Sequence, residues 1–252
     1  MSVYARFKFG NEIRYGLVDD GKIAELRGGL FDPPEPTGRV LKTSEVKLLA
    51  PAKPGKILGV GLNYKSHVGS RALPTVPSVF YKPVSSIQDP GEPIVIPEDG
   101  TDVHFEGELV VVIGARVSKA SRAEAEAAVF GVTCGNDVSE RNWQRGEGKD
   151  VQWWRAKGCD TFSPFGPYIV TGLQYGDLGL ETRLNGEVMQ AQRTSDLIFD
   201  VPEVVRFISR FVTLQPGDLI YTGTPGETRR VKPGDVVEVT IENIGTLTNP
   251  VA

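Results

Sequence analysis

The stretch that decides the fold is Phe105-Glu106-Gly107-Glu108-Leu109-Val110-Val111-Val112-Ile113-Gly114. Its apolar run, Leu109 to Ile113, is largely β-branched and bounded by Gly107 and Gly114, which predicts a buried strand. Glu106 and Glu108 stand two apart at its start, so their side chains leave the same face. Two carboxylates converging beside an apolar core repel, which raises a pKa or demands a cation. A hard divalent cation resolves the conflict through carboxylate oxygens. The alternative is an edge strand whose polar face is solvated.

Outward from this strand the pattern stays rich in β-structure. Residues 2–9, 12–18 and 22–26 read as strands, whereas the proline-rich run Phe31 to Gly38 cannot pair as a central strand. Pro51-Ala52-Lys53-Pro54-Gly55 marks a junction near residue 50. A small N-terminal β-rich domain over 1–50 and a second domain over 51–252 follow from it. Further strands are expected over 56–61, 79–82 and 92–96, with a helical turn or loop over 63–68. Ser121 and Glu124 form a capping box for a helix over 121–130, with Ala123, Ala127, Ala128 and Phe130 on its buried side. Asn185-Gly186 predicts a hairpin turn between 180–184 and 187–192, because that dipeptide supplies the positive φ angles of a type I′ turn. A second helix is expected over 200–211, with Pro202 in its first turn. The fold class is mixed α+β, dominated by β-structure.

Composition narrows the function. Twenty-eight basic and 32 acidic side chains give a net charge of −4 over 252 residues, and no block of like charge offers a footprint for nucleic acid. The longest apolar run is far short of the roughly 18 residues of a membrane span. Arg6, Lys8, Glu12 and Arg14 stand where a signal peptide needs apolar residues, so a cytoplasmic location is expected. Cys134 and Cys159 match no zinc or dithiol spacing and read as reduced core thiols.

Two more segments carry chemistry. Gly131 to Asp137 delivers a carboxylate at the end of an apolar segment, with Asp137 either a site residue or the cap of a helix over 138–144. Lys157 follows Trp153-Trp154 and is either a snorkelling stem or a buried ammonium facing an anion.

Taken with these, the motifs Gly61-Leu62-Asn63-Tyr64-x-x-His67, His104-Phe105-Glu106-Gly107-Glu108-Leu109, Gly135-Asn136-Asp137-Val138-Ser139-x-Arg141-x-x-Gln144, Lys157-Gly158-Cys159-Asp160-Thr161-Phe162 and Thr222-Gly223-Thr224-Pro225 resemble, in order, the fumarylacetoacetate hydrolase family. The resemblance covers roughly residues 50 to 250. It implies a rolled mixed β-sheet, a homodimer, and Mg²⁺ or Mn²⁺ held by Glu106, Glu108 and Asp137. It further implies that Arg141, Gln144 and Lys157 hold the carboxylate and keto oxygens of a small-molecule 2-oxo acid or dicarboxylate, with Thr224 closing over the same anion. Family members hydrolyse C–C bonds, decarboxylate or isomerise such acids.

One departure bears on the reaction. Relatives commonly place a Glu three residues after the motif histidine, forming a dyad that activates water; here that place is Ser70. His67 remains as a general base or as a hydrogen-bonded loop residue, and His104 as a partner behind the acids. The segment 66–77 reads as a lid. Arg229 and Arg230 read as a solvated charge pair, with reach toward a distal carboxylate as the alternative. The leading expectation is a metal-dependent enzyme that isomerises or decarboxylates a 2-oxo or 2-hydroxy-diene (di)carboxylate in aromatic-acid catabolism, through a metal-stabilised enolate, with His67 and Lys157 as catalytic residues. The alternatives are a C–C hydrolase of acylpyruvate or fumarylacetoacetate type, and a metal-dependent carboxylate-binding module without turnover.

Overall fold

A computed structural model describes residues 1–252. The fold is mixed α+β and β-dominated, built around a twelve-stranded sheet. Gly107–Ile113 lies inside that sheet, antiparallel to Val129–Asn136 on one side and Leu219–Tyr221 on the other. Its alternation sends Leu109, Val111 and Ile113 into a core of 24 buried residues, and Val110 and Val112 into a second core of 12. A strand covered on both faces needs apolar residues at consecutive positions, which accounts for the unbroken run.

The sheet continues through Leu219–Tyr221 to Ile57–Gly61, parallel to it, and then to Ser78–Lys82 at the edge. In the other direction Ser163–Thr171 pairs with Ser2–Phe9, so the N-terminal strands are hydrogen-bonded into the same sheet. A four-stranded sheet, in the order Glu187–Arg193, Gly179–Leu184, Val236–Ile241, Gly245–Pro250, packs beside it. Its hairpin turns at Asn185 and Gly186, with φ of 54° and 82° as the dipeptide predicts.

Some expectations need correction. Residues 92–96 form no strand; Ile94 makes a single bridge to Val251. The helix capped by Ser121 and Glu124 ends at Ala127, and Phe130 already belongs to the next strand. Its buried alanines are Ala125 and Ala128, while Ala123 and Ala127 are exposed. The proline-rich run does lead into a strand, Glu35–Lys42, which accommodates Pro36 because it lies at the sheet edge. Cys134 is buried, Cys159 half-buried, and both are free thiols. No helix is long and apolar enough to cross a membrane.

Candidate active site

The acidic residues meet at the mouth of the central strand. Glu108 belongs to it and Glu106 immediately precedes it. Asp137 follows the end of Val129–Asn136, whose register sets Asn136 opposite Gly107. Asn136 Oδ1 accepts from the Glu106 N–H at 2.9 Å, and the Asp137 N–H donates to the Glu106 carbonyl at 2.8 Å, locking the two strand ends together. Gly107 is required there, since a Cβ would lie 1.9 Å from Thr182 Oγ1. One oxygen from each of Glu106, Glu108 and Asp137 lies within 4.8 Å of the others, and all three residues are buried.

Three cations surround them. Lys157 Nζ bridges Glu106 Oε2 and Asp137 Oδ2, at 2.6 Å to each. Lys82 Nζ reaches Asp137 Oδ1 at 2.5 Å, and Arg141 Nη2 reaches Glu106 Oε1 at 2.5 Å. Burial alone would raise Glu106, but Arg141 and Lys157 outweigh it and hold the carboxyl well below the usual range. Glu108 has no cation; it accepts only the Gly223 N–H, at 2.7 Å. Burial, then Asp137 and Glu106, push its carboxyl well above the usual range. A buried acid left unneutralised beside two others, in an all-oxygen set, fits a hard divalent cation. The two lysines shift in opposite directions. Burial pulls both down, yet Lys157, touching two carboxylates, ends raised, while Lys82, touching one and repelled by Lys157, ends lowered.

His67 lies on the short helix Lys65–Val68. Its Nδ1 is 2.7 Å from the Gly226 carbonyl, so that nitrogen carries the proton and Nε2 is the free base. Ser66 Oγ accepts the Gly226 N–H at 3.0 Å, which ties this helix to the loop after Thr224. The Gly226 carbonyl thus fixes the tautomer where a dyad carboxylate is missing; Ser70 is exposed. Burial lowers the imidazole pKa, and Arg141 and Lys157 add to that against Glu106 and the Gly226 carbonyl.

A cavity of about 250 Å³ opens over the acids, bordered by His67, Gln144, Lys157 and Thr224. Arg141 Nη1 donates to Gln144 Oε1 at 2.8 Å, so the two side chains orient each other. The Thr224 hydroxyl donates to the Gly107 carbonyl and accepts from Gln190 Nε2, each at 2.9 Å, so it pins its loop to the strand mouth. Left-handed backbone at Leu62 and Trp153, both bordering the cavity, is strain of the kind that concentrates at functional sites.

Two residues of this cluster lie outside the sequence reading. Lys82 could have been found from its strand: Phe80 in, Tyr81 out, Lys82 in places a lysine at a buried register position. Thr228 accepts from Arg141 Nη2 at 2.8 Å and pairs with His104 Nδ1 at 2.9 Å. His104 Nε2 in turn donates to Asp102 Oδ1 at 3.0 Å, so His104 steadies Arg141 through Thr228.

Fold and site together define a member of the fumarylacetoacetate hydrolase family. The family model described as fumarylacetoacetate (FAA) hydrolase C-terminal matches residues 56–252, and the model described as Rv2993c-like, N-terminal matches 4–51. Among individual relatives, Protein Rv2993c of Mycobacterium tuberculosis is 47% identical over 227 residues, 88% of this chain and 84% of that protein. The bovine mitochondrial oxaloacetate tautomerase FAHD2A is 42% identical over 225 residues, 84% of this chain and 71% of that one. The crystal structure of 2-hydroxyhepta-2,4-diene-1,7-dioate isomerase from Mycobacterium marinum superposes with a TM-score of 0.92 at 42% identity, covering 100% of this chain and 98% of that one.

Proposed function

We propose that this protein is a Mg²⁺- or Mn²⁺-dependent enzyme that enolises 2-oxo or 2-hydroxy-diene (di)carboxylates, isomerising or decarboxylating them in aromatic-acid catabolism. The observation that carries this reading is the charge balance of the buried cluster. With the three acids ionised, their charge and that of Lys82, Lys157 and Arg141 sum to zero although no cation touches Glu108, and a dication on Glu106, Glu108 and Asp137 would leave two positive charges for a dianionic ligand. The cation would supply a Lewis acid to the 1-carboxylate and 2-oxo oxygens. Lys157 and Arg141 set fixed positive charge where negative charge develops on the substrate, and Gln144 holds Arg141 in place. His67 Nε2 removes or returns a proton at carbon.

Proton transfer is favoured over C–C hydrolysis because no carboxylate backs His67, so the imidazole is oriented but not made more basic. An isomerase and a tautomerase among the relatives support the same choice. Division of the chain near residue 50, a homodimer and a cytoplasmic location belong to the same reading; family-model boundaries at 51 and 56 support the first.

The test is proton NMR in D₂O with Mg²⁺ and a 2-oxo dicarboxylate. Deuterium is expected at C3, with exchange abolished by EDTA. Cleavage of acetylpyruvate to pyruvate and acetate without C3 exchange would replace the reading with hydrolysis. Metal-dependent binding with no exchange in any 2-oxo acid would reduce the protein to a binding module.

A further inference from the structure

The cavity over the acids does not end blindly. A second cavity, of about 610 Å³ and bordered by no hydrophobic residue, adjoins it, and His67, Arg71 and Arg145 border both. These three residues form the neck between them. Arg71 donates from Nε to the Val68 carbonyl at 2.9 Å and from Nη2 to the His67 carbonyl at 2.8 Å, so its guanidinium is held on backbone and faces no carboxylate partner. Arg145 makes no ion pair at all, although Arg141 beside it is neutralised by Glu106. Burial and the nearby Arg141 and Arg71 depress its guanidinium, against the weaker opposing pull of Glu106 and Asp102, neither of which pairs with it. Asp102 and Glu227 border the outer cavity, but Asp102 is engaged by His104 and Glu227 is exposed.

We propose that Arg71 and Arg145 are the subsite for the distal carboxylate of the substrate, selecting dicarboxylic over monocarboxylic 2-oxo acids. The inference rests on the reading above, which seats the 2-oxo acid head at the metal-binding acids. A ligand held there and extended through the neck brings its far end between two planar guanidinium forks, each able to grip a carboxylate through paired N–H donors. Arg71 is fastened to the carbonyls of the helix that carries His67, and Arg145 ends the helix Arg141–Arg145 that carries Arg141 and Gln144. The distal carboxylate therefore bridges the two elements that position the base and the oxyanion contacts. Arg229 and Arg230 are exposed and border neither cavity, so they are not the source of this contact.

Calorimetry in the presence of Mg²⁺ tests the assignment with three probes: oxalate, which has the head alone, 2-oxohexanoate, and 2-oxoadipate, which adds a terminal carboxylate to a chain of the same length. The wild type is expected to bind 2-oxoadipate at least tenfold more tightly than 2-oxohexanoate. In the double variant Arg71→Gln, Arg145→Gln that ratio falls to within twofold, through 2-oxoadipate alone. Oxalate affinity moves by less than threefold, which also shows that the variant is folded. Arg229→Gln with Arg230→Gln leaves the ratio intact. Oxalate binding without a dicarboxylate preference, or a preference that survives the Arg71, Arg145 double variant, overturns this inference alone. Failure of oxalate to bind the wild type overturns the metal-site reading and takes the inference with it.

Discussion

The two ends of the strand Gly107–Ile113 are unlike. From Leu109 onward it is fully buried and apolar on both faces, held by packing against two cores. At its start the buried carboxylates are held by particular partners: Lys82, Lys157 and Arg141 reach Glu106 and Asp137 from 20 to 55 residues off in sequence, and Glu108 has the Gly223 N–H alone. Packing is non-directional and tolerates many neighbours, whereas a buried acid depends on particular partners. The apolar end therefore governs whether the chain folds, and the charged end gathers the groups that could hold a cation.

The largest expected effect comes from putting a carboxylate at the wrong end. Val111→Asp places an unpaired charge among fully buried neighbours, a penalty comparable to the whole ~5–15 kcal/mol stability of a domain. Urea denaturation should show no cooperative transition. A folded V111D protein would mean that the apolar half is not the core it is taken for. A smaller effect is expected at the charged end. Lys157→Met nearly preserves volume and leaves Lys82 on Asp137 and Arg141 on Glu106, so the chain folds with a loss of about 3–5 kcal/mol, while turnover falls about 10²–10³-fold with the lost positive contact. Mg²⁺ should bind at least as tightly, because no ammonium then competes for the oxygens of Glu106 and Asp137. Titration calorimetry and steady-state kinetics on the same preparation read both; intact turnover with weakened Mg²⁺ binding would reverse the assignment.

The same contrast explains which features are legible in the sequence. The strand at 109–113, the capping box at Ser121 and the turn at Asn185-Gly186 are each specified by a few adjacent residues, and each is found where expected. Residues 92–96 carry a strand's composition and run beside Pro250 to Ala252, but the hydrogen bonds of Ile94 and Ile96 to that segment close only one bridge, to Val251, too short a ladder for a strand. Glu106, Glu108 and Asp137 were legible as a group through ordered motifs, and the pairing of Gly107 with Asn136 is the register that unites them. Lys82 is legible only as a lysine at a buried register position, since nothing within Ser78–Lys82 reveals that its buried face points at an acid 55 residues away. Arg71 and Arg145 look like ordinary surface arginines until the neck between two cavities gives them a common place.

The smallest effect concerns pH, and it separates the ends again, because only the charged end carries an ionisable base. Burial first, then Arg141 and Lys157, lower the His67 pKa, with Glu106 and the Gly226 carbonyl in opposition. A lowered value means that the neutral, proton-accepting form persists further into acid. kcat/KM should therefore rise with pH through an apparent pKa below the ordinary imidazole value of about 6.5, then level off. His67→Asn should be slow and lack that limb. Ser70→Glu supplies a carboxylate where relatives with a dyad have one, and an adjacent anion favours the imidazolium, so the limb should move upward by roughly half to one pH unit. At a pH within the limb this variant is slower than the wild type, while well above it the more basic imidazole makes it equal or faster. A limb that does not move would show that residue 70 does not address His67, and that the Gly226 carbonyl alone sets the base.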